Sequence, residues 1–367
     1  MKKGLMLSLA ASAVLFAGGD IAPVEPVAEA PAAACDDFYG HTGAGVIYVK
    51  DDVAGTETVT YGVAAVLGVQ KEVFAGLTAS AELQGSVTKT YDVIAGTSAA
   101  KVERANLTQL NLGYTWCNTA FKVGRFAVDM GLSPLVFTDT NYFGMKDITF
   151  DGVMVANTDI PDTVVYGAYV HRVAVHGTST TKAFPMNSVD GAAVVGFQNK
   201  SFADTTITGT AYYAITSGDY ALAGSVDKKW CDTDISLGAA YENVGGATAY
   251  LVGGYVTQHF GSVDATLAAT YQNAAATYVN NFAKYTWKTW QPNAADSWGI
   301  GGKLSTDWCG YKLAAWGKYN SLENYEAGAS IGKTVSGIAL SADVRYRYFK
   351  AADAAQTRVR AKAVYKF

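Results

Sequence analysis

The chain has 367 residues and a formal net charge of −4; half of the residues are hydrophobic and only 16% are charged. Low charge with high hydrophobicity argues against intrinsic disorder. The acidic balance argues against a nucleic-acid partner, because binding phosphate needs a basic surface. Few charges beside 38 glycines and 23 tyrosines indicate strands of which one face meets something other than water.

The first residues are typical of an export signal. Lys2 and Lys3 form a basic start, and the apolar stretch that follows to Ala17 is shorter than the roughly 20 residues that a membrane-spanning helix needs. Leu15 and Ala17 fit the −3 and −1 positions of a cleavage site. We therefore predict a signal peptide at residues 1–17, in preference to a membrane anchor, and secretion by the general bacterial route.

Residues 18–37 are dominated by alanine and proline and show no strand pattern. This composition predicts an extended, polyproline-like arm that acts as a tether. From residue 38 to residue 367 the pattern changes and predicts one domain.

Apolar and polar residues alternate with a period of two in this domain, which is the pattern of strands. In residues 262–273, Leu267 and Tyr271 fall on one face, whereas Asp264 and Thr270 fall on the other. Such segments run for about ten residues, the length of a tilted strand that crosses a bilayer. Strands of soluble sandwiches are usually shorter, about five to six residues.

The pattern predicts 18 strands, and 16 is the nearest alternative, because the first two strands and the hairpin at residues 321–324 are the least regular. The predicted strands start near residues 38, 57, 74, 104, 119, 147, 163, 190, 204, 219, 233, 246, 262, 297, 310, 323, 337 and 356.

Short and long connectors alternate along the chain. The long ones are predicted at residues 90–103, 129–146, 177–189 and 274–297. This asymmetry predicts an all-β fold: a closed antiparallel transmembrane β-barrel with short turns and both chain ends on the periplasmic side. Because no backbone group can stay unpaired in lipid, the first strand must pair with the last.

Three tryptophan–cysteine pairs precede predicted short turns: Trp116-Cys117, Trp230-Cys231 and Trp308-Cys309. Amphipathic rings favour the membrane interface, so we interpret these tryptophans as a periplasmic girdle. The three cysteines lie several strands apart, which argues against disulfides among them. Cys35 lies on the flexible arm, which can reach one of these three cysteines, and the pairing stays open.

Residues 129–146 (DMGLSPLVFTDTNYFGMK) form the second of these long connectors and are too hydrophobic to extend into water. We predict that this loop folds into the bore; an external flap is the alternative. Folding inward would bury four apolar side chains, Leu132, Leu135, Val136 and Phe137. It would also present three acidic side chains, Asp129, Asp139 and Asp147.

The last two strands carry a basic face. Charge toward lipid costs a few kcal/mol per residue at the bilayer midplane, so these side chains are predicted to line the bore. They are Arg345 and Arg347, which share a face with Asp343, and Arg358, Arg360 and Lys362 on the next strand. Arg125, Arg172 and Lys122 are further candidates. Such a row opposite an acidic loop gives a transverse field. In the alternative, the arginines pair with Asp343, Asp353 or Glu326 and only brace the wall.

Residues 124–172 resemble the Opr/OprD-type outer-membrane porins, particularly those of epsilonproteobacteria. The resemblance rests on Gly124-Arg125, Asp129, Pro134, Phe150-Asp151-Gly152 and the turn Asn157-Thr158-Asp159-Ile160-Pro161-Asp162-Thr163. It implies an 18-stranded pore with an inward third loop and a lumenal basic ladder, in which Arg125 is the one candidate inside the matched stretch. The loop departs from the family, since DMGLSP replaces a shorter Leu-Asp-Thr-Pro-Leu. The terminal Phe367 is similar to the signal read by the barrel assembly machinery.

The expected function is that of an outer-membrane porin through which ions and small hydrophilic solutes diffuse passively, without a cofactor or metal. Outer-membrane lipid is the expected surrounding, and a monomer and a homotrimer are both compatible with the sequence. An outer-membrane hydrolase is one alternative, although no G-x-S-x-G motif in suitable context and no histidine pair with metal-ligand spacing occurs in the sequence. A structural or adhesive surface barrel is the other, although connectors near residues 217–219 and 244–246 are very short.

Overall fold

The computed structural model describes residues 37–367 except residues 130, 132, 134–136, 139–141, 143–144, 177–190 and 279–281. The predicted signal peptide (residues 1–17), Cys35 and all but the last residue of the predicted arm lie outside the described residues.

Within the described residues, 18 antiparallel strands form a single sheet, and each strand pairs with its neighbours in sequence. The strands of the first half are β1 (Phe38–Asp51), β2 (Thr56–Phe74), β3 (Leu77–Asp92), β4 (Thr97–Trp116), β5 (Thr119–Phe126), β6 (Ile148–Asn157), β7 (Thr163–Val175), β8 (Ala192–Asn199) and β9 (Thr205–Ala214). The strands of the second half are β10 (Tyr220–Trp230), β11 (Thr233–Val244), β12 (Ala247–Phe260), β13 (Val263–Gln272), β14 (Ser297–Trp308), β15 (Tyr311–Asn320), β16 (Tyr325–Val335), β17 (Ile338–Phe349) and β18 (Ala354–Lys366).

The sheet closes on itself between β1 and β18. Their register runs from His41 opposite Lys366 to Asp51 opposite Gln356. Gly40 and Phe367 exchange two backbone hydrogen bonds, of 2.9 and 3.0 Å, just beyond this ladder. The predicted closed antiparallel β-barrel of 18 strands is therefore confirmed, and the alternative of 16 is wrong.

The two faces of each strand differ as the alternation predicts. On β11, Leu237 points outward with 62% of its surface exposed, whereas the neighbouring Ser236 points inward and is 1% exposed. The same contrast holds on β13 between the exposed Leu267 and the buried Thr270. An outward face of valine, leucine and aromatic side chains is what hydrocarbon requires of a membrane-spanning barrel.

Most strand starts agree with the sequence prediction within three residues, but β4 does not. It begins at Thr97, seven residues before the predicted start, and β3 continues to Asp92. The predicted long connector at residues 90–103 is therefore wrong, and only residues 93–96 connect the two strands. The outward side chains of Lys101 and Glu103 make this part of β4 polar on both faces, so that its alternation of polarity is lost.

The predicted tryptophan–cysteine turns are short, as expected. Trp116, Trp230 and Trp308 are the last residues of β4, β10 and β14 and are exposed. Each cysteine that follows opens a two-residue turn with a positive φ of 51–52°. Cys117, Cys231 and Cys309 are free and exposed, in agreement with the prediction that they form no disulfides with one another.

The described residues contain two short helices, α1 (Ala283–Thr289) and a 3₁₀ helix at Lys350–Ala352. No helix in this part of the chain is long and apolar enough to cross a membrane.

The barrel wall has unequal height. β2 and β4 have 19 and 20 residues, whereas β5 has 8. β5 pairs with β4 only between Leu110 and Trp116 of β4, so β4 continues above β5 to Thr97. After Phe126 the chain leaves the wall, and residues 127–147 connect β5 to β6.

Candidate functional site

The connector of residues 127–147, here called the third loop, is fixed to the inner wall at its end. The Lys146 ammonium lies 2.7 Å from each carboxylate oxygen of Glu82 on β3. The Gln84 side chain donates to the Lys146 carbonyl oxygen and accepts from the Lys146 backbone N–H, at 2.7 and 2.9 Å. Because Glu82 is fully buried and also accepts from Thr108, this anchor is shielded from solvent.

The middle of the third loop reaches the inner face of β18. Arg360 and Lys362 on β18 lie over the Tyr142 ring, at 4.7 and 5.3 Å from its centroid. Lys362 also donates to the Tyr142 carbonyl oxygen at 3.3 Å. Burial raises the pKa of Tyr142 to about 12, so its hydroxyl stays neutral. The prediction that this loop folds inward is confirmed, and the external flap is wrong.

Of the acidic residues predicted for the loop, two are described. Asp129 is partly buried and accepts from the Gly131 backbone N–H, and Asp147 is buried at the start of β6. Asp139 lies outside the described residues, as do three of the four predicted apolar side chains, Leu132, Leu135 and Val136. The fourth, Phe137, meets Trp287 edge to face with ring centroids 6.2 Å apart.

Trp287 belongs to a second inward loop, residues 273–296, which the sequence analysis identified only as a long connector. Its helix α1 packs against the inner wall. The hydroxyl groups of Tyr285 and Ser236 are 2.8 Å apart, and the Lys284 ammonium lies 2.6 Å from an Asp227 carboxylate oxygen. Phe282 is fully buried with Tyr285 in an apolar cluster that fills this side of the bore.

Glycines in the wall make room for α1. A Cβ atom on Gly301 would lie 2.0 Å from the Lys288 carbonyl oxygen, and one on Gly238 would lie 2.6 Å from the Tyr285 ring. The inner face therefore has a shallow bed in which the helix lies close to the backbone. The sequence signal for α1 was the spacing of Phe282, Tyr285 and Thr289, all fully buried, at helical intervals.

Beside helix α1, and partly on the strands against which it packs, inward cations follow one another from β14 to β18. We call this set the basic strip: Lys303 on β14, Lys318 on β15, Arg345 and Arg347 on β17, and Arg358, Arg360 and Lys362 on β18. The structure thus places the five predicted basic residues of β17 and β18 on one surface, and it adds two lysines that the sequence analysis did not single out.

Two carboxylates lie within the basic strip. Glu326, 2% exposed on β16, accepts from Arg347 at 2.6 Å and from the Trp316 indole at 2.9 Å, and it pairs with Lys318 at 2.9 Å. Asp343 pairs with Arg360 at 2.9 Å. The bracing contacts proposed as an alternative in the sequence analysis therefore exist for these two acids. Seven cations share them, which leaves a formal excess of five positive charges on the strip.

Arg125 and Arg172 form a separate group. Both pair with Asp151 on β6, at 2.6 Å each, and Arg125 also donates to the Leu107 carbonyl oxygen at 2.9 Å. The group lies where β5 ends and β6 begins, and no ion pair joins it to the basic strip among the described residues. Lys122 is buried on β5.

Helix α1 adds a further cation, Lys288, next to the basic strip. Lys288 lies over the Tyr255 ring at 4.5 Å from its centroid. Burial lowers the pKa of Lys288, and the neighbouring charges of Lys303, Lys284 and Lys318 lower it further. The bore is thus bounded by the third loop, by α1 and by the basic strip. Among the described residues no group of three or more His, Cys, Asp or Glu side chains is arranged to hold a metal ion.

Comparison with known proteins gives a match in structure alone. No family model matches the sequence. No curated protein sequence is significantly similar to it.

Solved structures of Pseudomonas aeruginosa outer-membrane proteins share the fold. OccK7 (OpdD) superposes with a TM-score of 0.73 at 10% identity, covering 90% of this chain and 98% of its own. OccK5 (OpdH) gives a TM-score of 0.68 at 11% identity, with 90% and 99% covered. OpdK, solved with vanillate, gives 0.67 at 13% identity, with the same coverage as OccK5. At identities this low, the superpositions show a shared barrel architecture alone.

Proposed function

We propose that this chain is an outer-membrane porin through which small hydrophilic solutes and ions diffuse passively, and that it favours anions. The observation that carries the proposal is the basic strip, whose excess positive charge faces a bore narrowed by two inward loops. In a narrow passage with low-dielectric walls, such a one-sided field raises the local concentration of ions of the opposite charge. Passive selection of solutes needs no catalytic group, and we propose no enzymatic activity.

Several expectations from the sequence belong to this proposal. Asp129, Asp139 and Asp147 supply negative charge on the third loop, and Arg125 and Arg172 contribute at its rim. The resemblance of residues 124–172 supports kinship with the epsilonproteobacterial kind of OprD-type porin. The fold shared with the OccK proteins supports the outer membrane as location.

Two partners complete the proposal. Phe367, bonded to Gly40 where the barrel closes, is the terminal aromatic by which the barrel assembly machinery recognises the chain. We propose outer-membrane lipid as the surrounding of the outward face. A monomer and a homotrimer are both compatible with the chain, and native mass spectrometry in detergent distinguishes them.

The test of function is a planar-bilayer recording with the purified, folded protein. We expect stepwise conductance and a reversal potential of anion-selective sign in a salt gradient. Vanillate, the aromatic carboxylate found with OpdK, is a suitable probe, and its permeation is compared with that of its uncharged methyl ester. A folded barrel that gives no current at any voltage contradicts the porin proposal, whereas cation selectivity contradicts only the role of the basic strip.

A further inference from the structure

A histidine on the inner wall is held between two carboxylates. The Nδ1 atom of His259, on β12, lies 2.6 Å from an Asp264 carboxylate oxygen, and its Nε2 atom lies 3.0 Å from an Asp234 carboxylate oxygen. Asp234 belongs to β11 and Asp264 to β13, so three successive strands supply one side chain each. We call these three residues the histidine clamp.

The histidine clamp faces the bore at the end of the barrel where the tryptophan–cysteine turns lie. Asp234 comes shortly after Cys231 and shares a face with the inward Ser236. His259 shares a face with Tyr255, whose ring contacts Lys288 of α1. The side chains of the clamp are 33 to 46% exposed, so water and solutes in the bore reach all three.

The two contacts determine the charge of the imidazole in this arrangement. An ionised carboxylate only accepts hydrogen bonds, so a ring nitrogen that bonds to one must carry a proton. A neutral imidazole has one N–H group, whereas an imidazolium has two. Both contacts of His259 are therefore satisfied together only by the imidazolium. The two flanking carboxylates favour this charged form because their charges are opposite to its own.

The other charged groups around the histidine clamp come from the neighbouring strands and from α1. On β10, Lys229 stands opposite Asp234, and Asp227 pairs with a lysine of α1. On β14, Lys303 of the basic strip is a diagonal neighbour of Asp264. Carboxylates and lysines ordinarily titrate near about 4 and about 10.4, whereas histidine titrates near about 6.5. The imidazole is thus the group of this set whose ordinary range lies nearest neutral pH.

We propose that the histidine clamp is a proton-controlled switch of ion selectivity at this mouth of the bore, an inference that rests on the proposed porin function. With the imidazolium in place, the clamp has one uncompensated negative charge. Loss of the proton leaves two, and one carboxylate also loses its hydrogen-bond donor and attracts cations from the bore. Because Lys303 lies beside Asp264, these charges act against the field of the basic strip. Rising pH therefore weakens the preference for anions.

The first experiment is nitrogen NMR of the full-length protein in lipid nanodiscs, with the histidine rings labelled. Comparison with His259→Gln assigns the signals of His259. We expect both ring nitrogens to carry protons at about pH 7, and one of them to have lost its proton by about pH 9. A His259 ring that is already neutral at pH 7 would overturn the proposal, whether or not the protein conducts ions.

The second experiment measures reversal potentials of the native chain and of variants in planar bilayers at the same two pH values. We expect the anion-to-cation permeability ratio of the native chain to fall by about twofold from the lower to the higher pH. His259→Gln should lower the ratio at pH 7 already, since the two carboxylates are then never compensated. The double variant Asp234→Asn/Asp264→Asn should raise the ratio at pH 7. Both variants should change less with pH than the native chain.

His171→Gln, which removes an exposed histidine of β7, is the control and should keep the full pH dependence. An equal change with pH in the native chain and in His259→Gln would overturn the proposal. A folded protein that gives no current would instead contradict the porin function, while the NMR signals would still report whether the histidine clamp holds its proton.

Discussion

Arg345 and Arg358 stand directly opposite each other on β17 and β18, with both side chains turned into the bore. The Nε atom of each is buried and has no hydrogen-bond partner within the part of the chain that the structure describes. Like charges at directly opposed positions repel. Glu326 lies 3.6 Å from Arg345 and is shared with Lys318 and Arg347, so it offsets only part of this repulsion. In the proposed porin, this pair of arginines would therefore attract a passing anion.

Replacing Arg345, Arg347, Arg358 and Arg360 by glutamine should shift selectivity toward cations, because the excess charge of the basic strip nearly vanishes. The measurement is the reversal potential in a salt gradient across a planar bilayer. Lys89→Gln, on the outward face, is the matched control for loss of one charge. An unchanged reversal potential in the fourfold variant would rule out a field from the strip.

Glu326→Gln should destabilise the barrel, since it leaves buried cations without a counter-charge. Removing one partner of a buried ion pair costs about 3 kcal/mol in unfolding free energy. Glu103→Gln, which breaks an exposed pair with Lys101, should cost less than about 1 kcal/mol. Denaturant unfolding in detergent micelles, followed by tryptophan fluorescence, measures both. Similar small effects would mean that Glu326 is not needed to hold the strip.

Phe137→Ala and Trp287→Ala should each raise single-channel conductance. The two rings form the contact between the inward loops, and a wider or looser passage is expected to conduct up to about twofold more. Trp116→Ala removes a ring of similar size at the rim of the barrel and should leave conductance unchanged. A decrease in conductance in either loop variant would show that the contact holds the passage open.

Gly301→Ala should displace helix α1, because the added Cβ would lie 2.0 Å from the Lys288 carbonyl oxygen. Gly317→Ala is the control, since its Cβ would have no atom closer than 4.0 Å. We expect the first variant to show altered conductance and faster proteolysis of residues 273–296, and the second to behave as the native chain does. Equal protease resistance would argue that α1 is not bound to its bed.

Anion selectivity should decline with rising pH earlier than ordinary lysines allow. The pKa of Lys288 is lowered by burial and by three neighbouring lysines, so its charge is lost below the range near about 10.4 where exposed lysines titrate. Reversal potentials measured from neutral to alkaline pH should show this decline. Lys288→Gln should weaken it, and an identical curve for that variant would contradict a role for Lys288 in the field.

The sequence alone was sufficient to predict most of the strands of the barrel and the faces that they present. Residues that face lipid must be apolar at every second position, so the period of two marks each strand inside the bilayer. The basic residues of β17 and β18 followed from the same rule, because charge at positions such as Arg345 is tolerated only toward the bore. The upper part of β4 lay above the bilayer, where the rule no longer applies, and its start at Thr97 was missed.

The alternation rule says nothing about where helix α1 lies, although its residues have helical spacing. Its burial depends on a bed formed by Gly238, Gly253, Gly299 and Gly301, which come from three strands, β11, β12 and β14, and lie together only in the closed barrel. The role of Glu326 is similar. In sequence it is one of several acids near the arginines, and only the register of β15, β16 and β17 brings three cations to it.

The seam between β1 and β18 has a consequence for biogenesis. Gln356 donates to Asp51 across the seam, over 305 residues of chain. Contacts so distant in sequence form late, because ordering the intervening chain costs entropy before they are made. Until the final strand arrives, β1 and β17 would each expose a row of unsatisfied amides to the lipid. A half-built form would therefore be costly in a membrane unless both borders were shielded until the ring is shut.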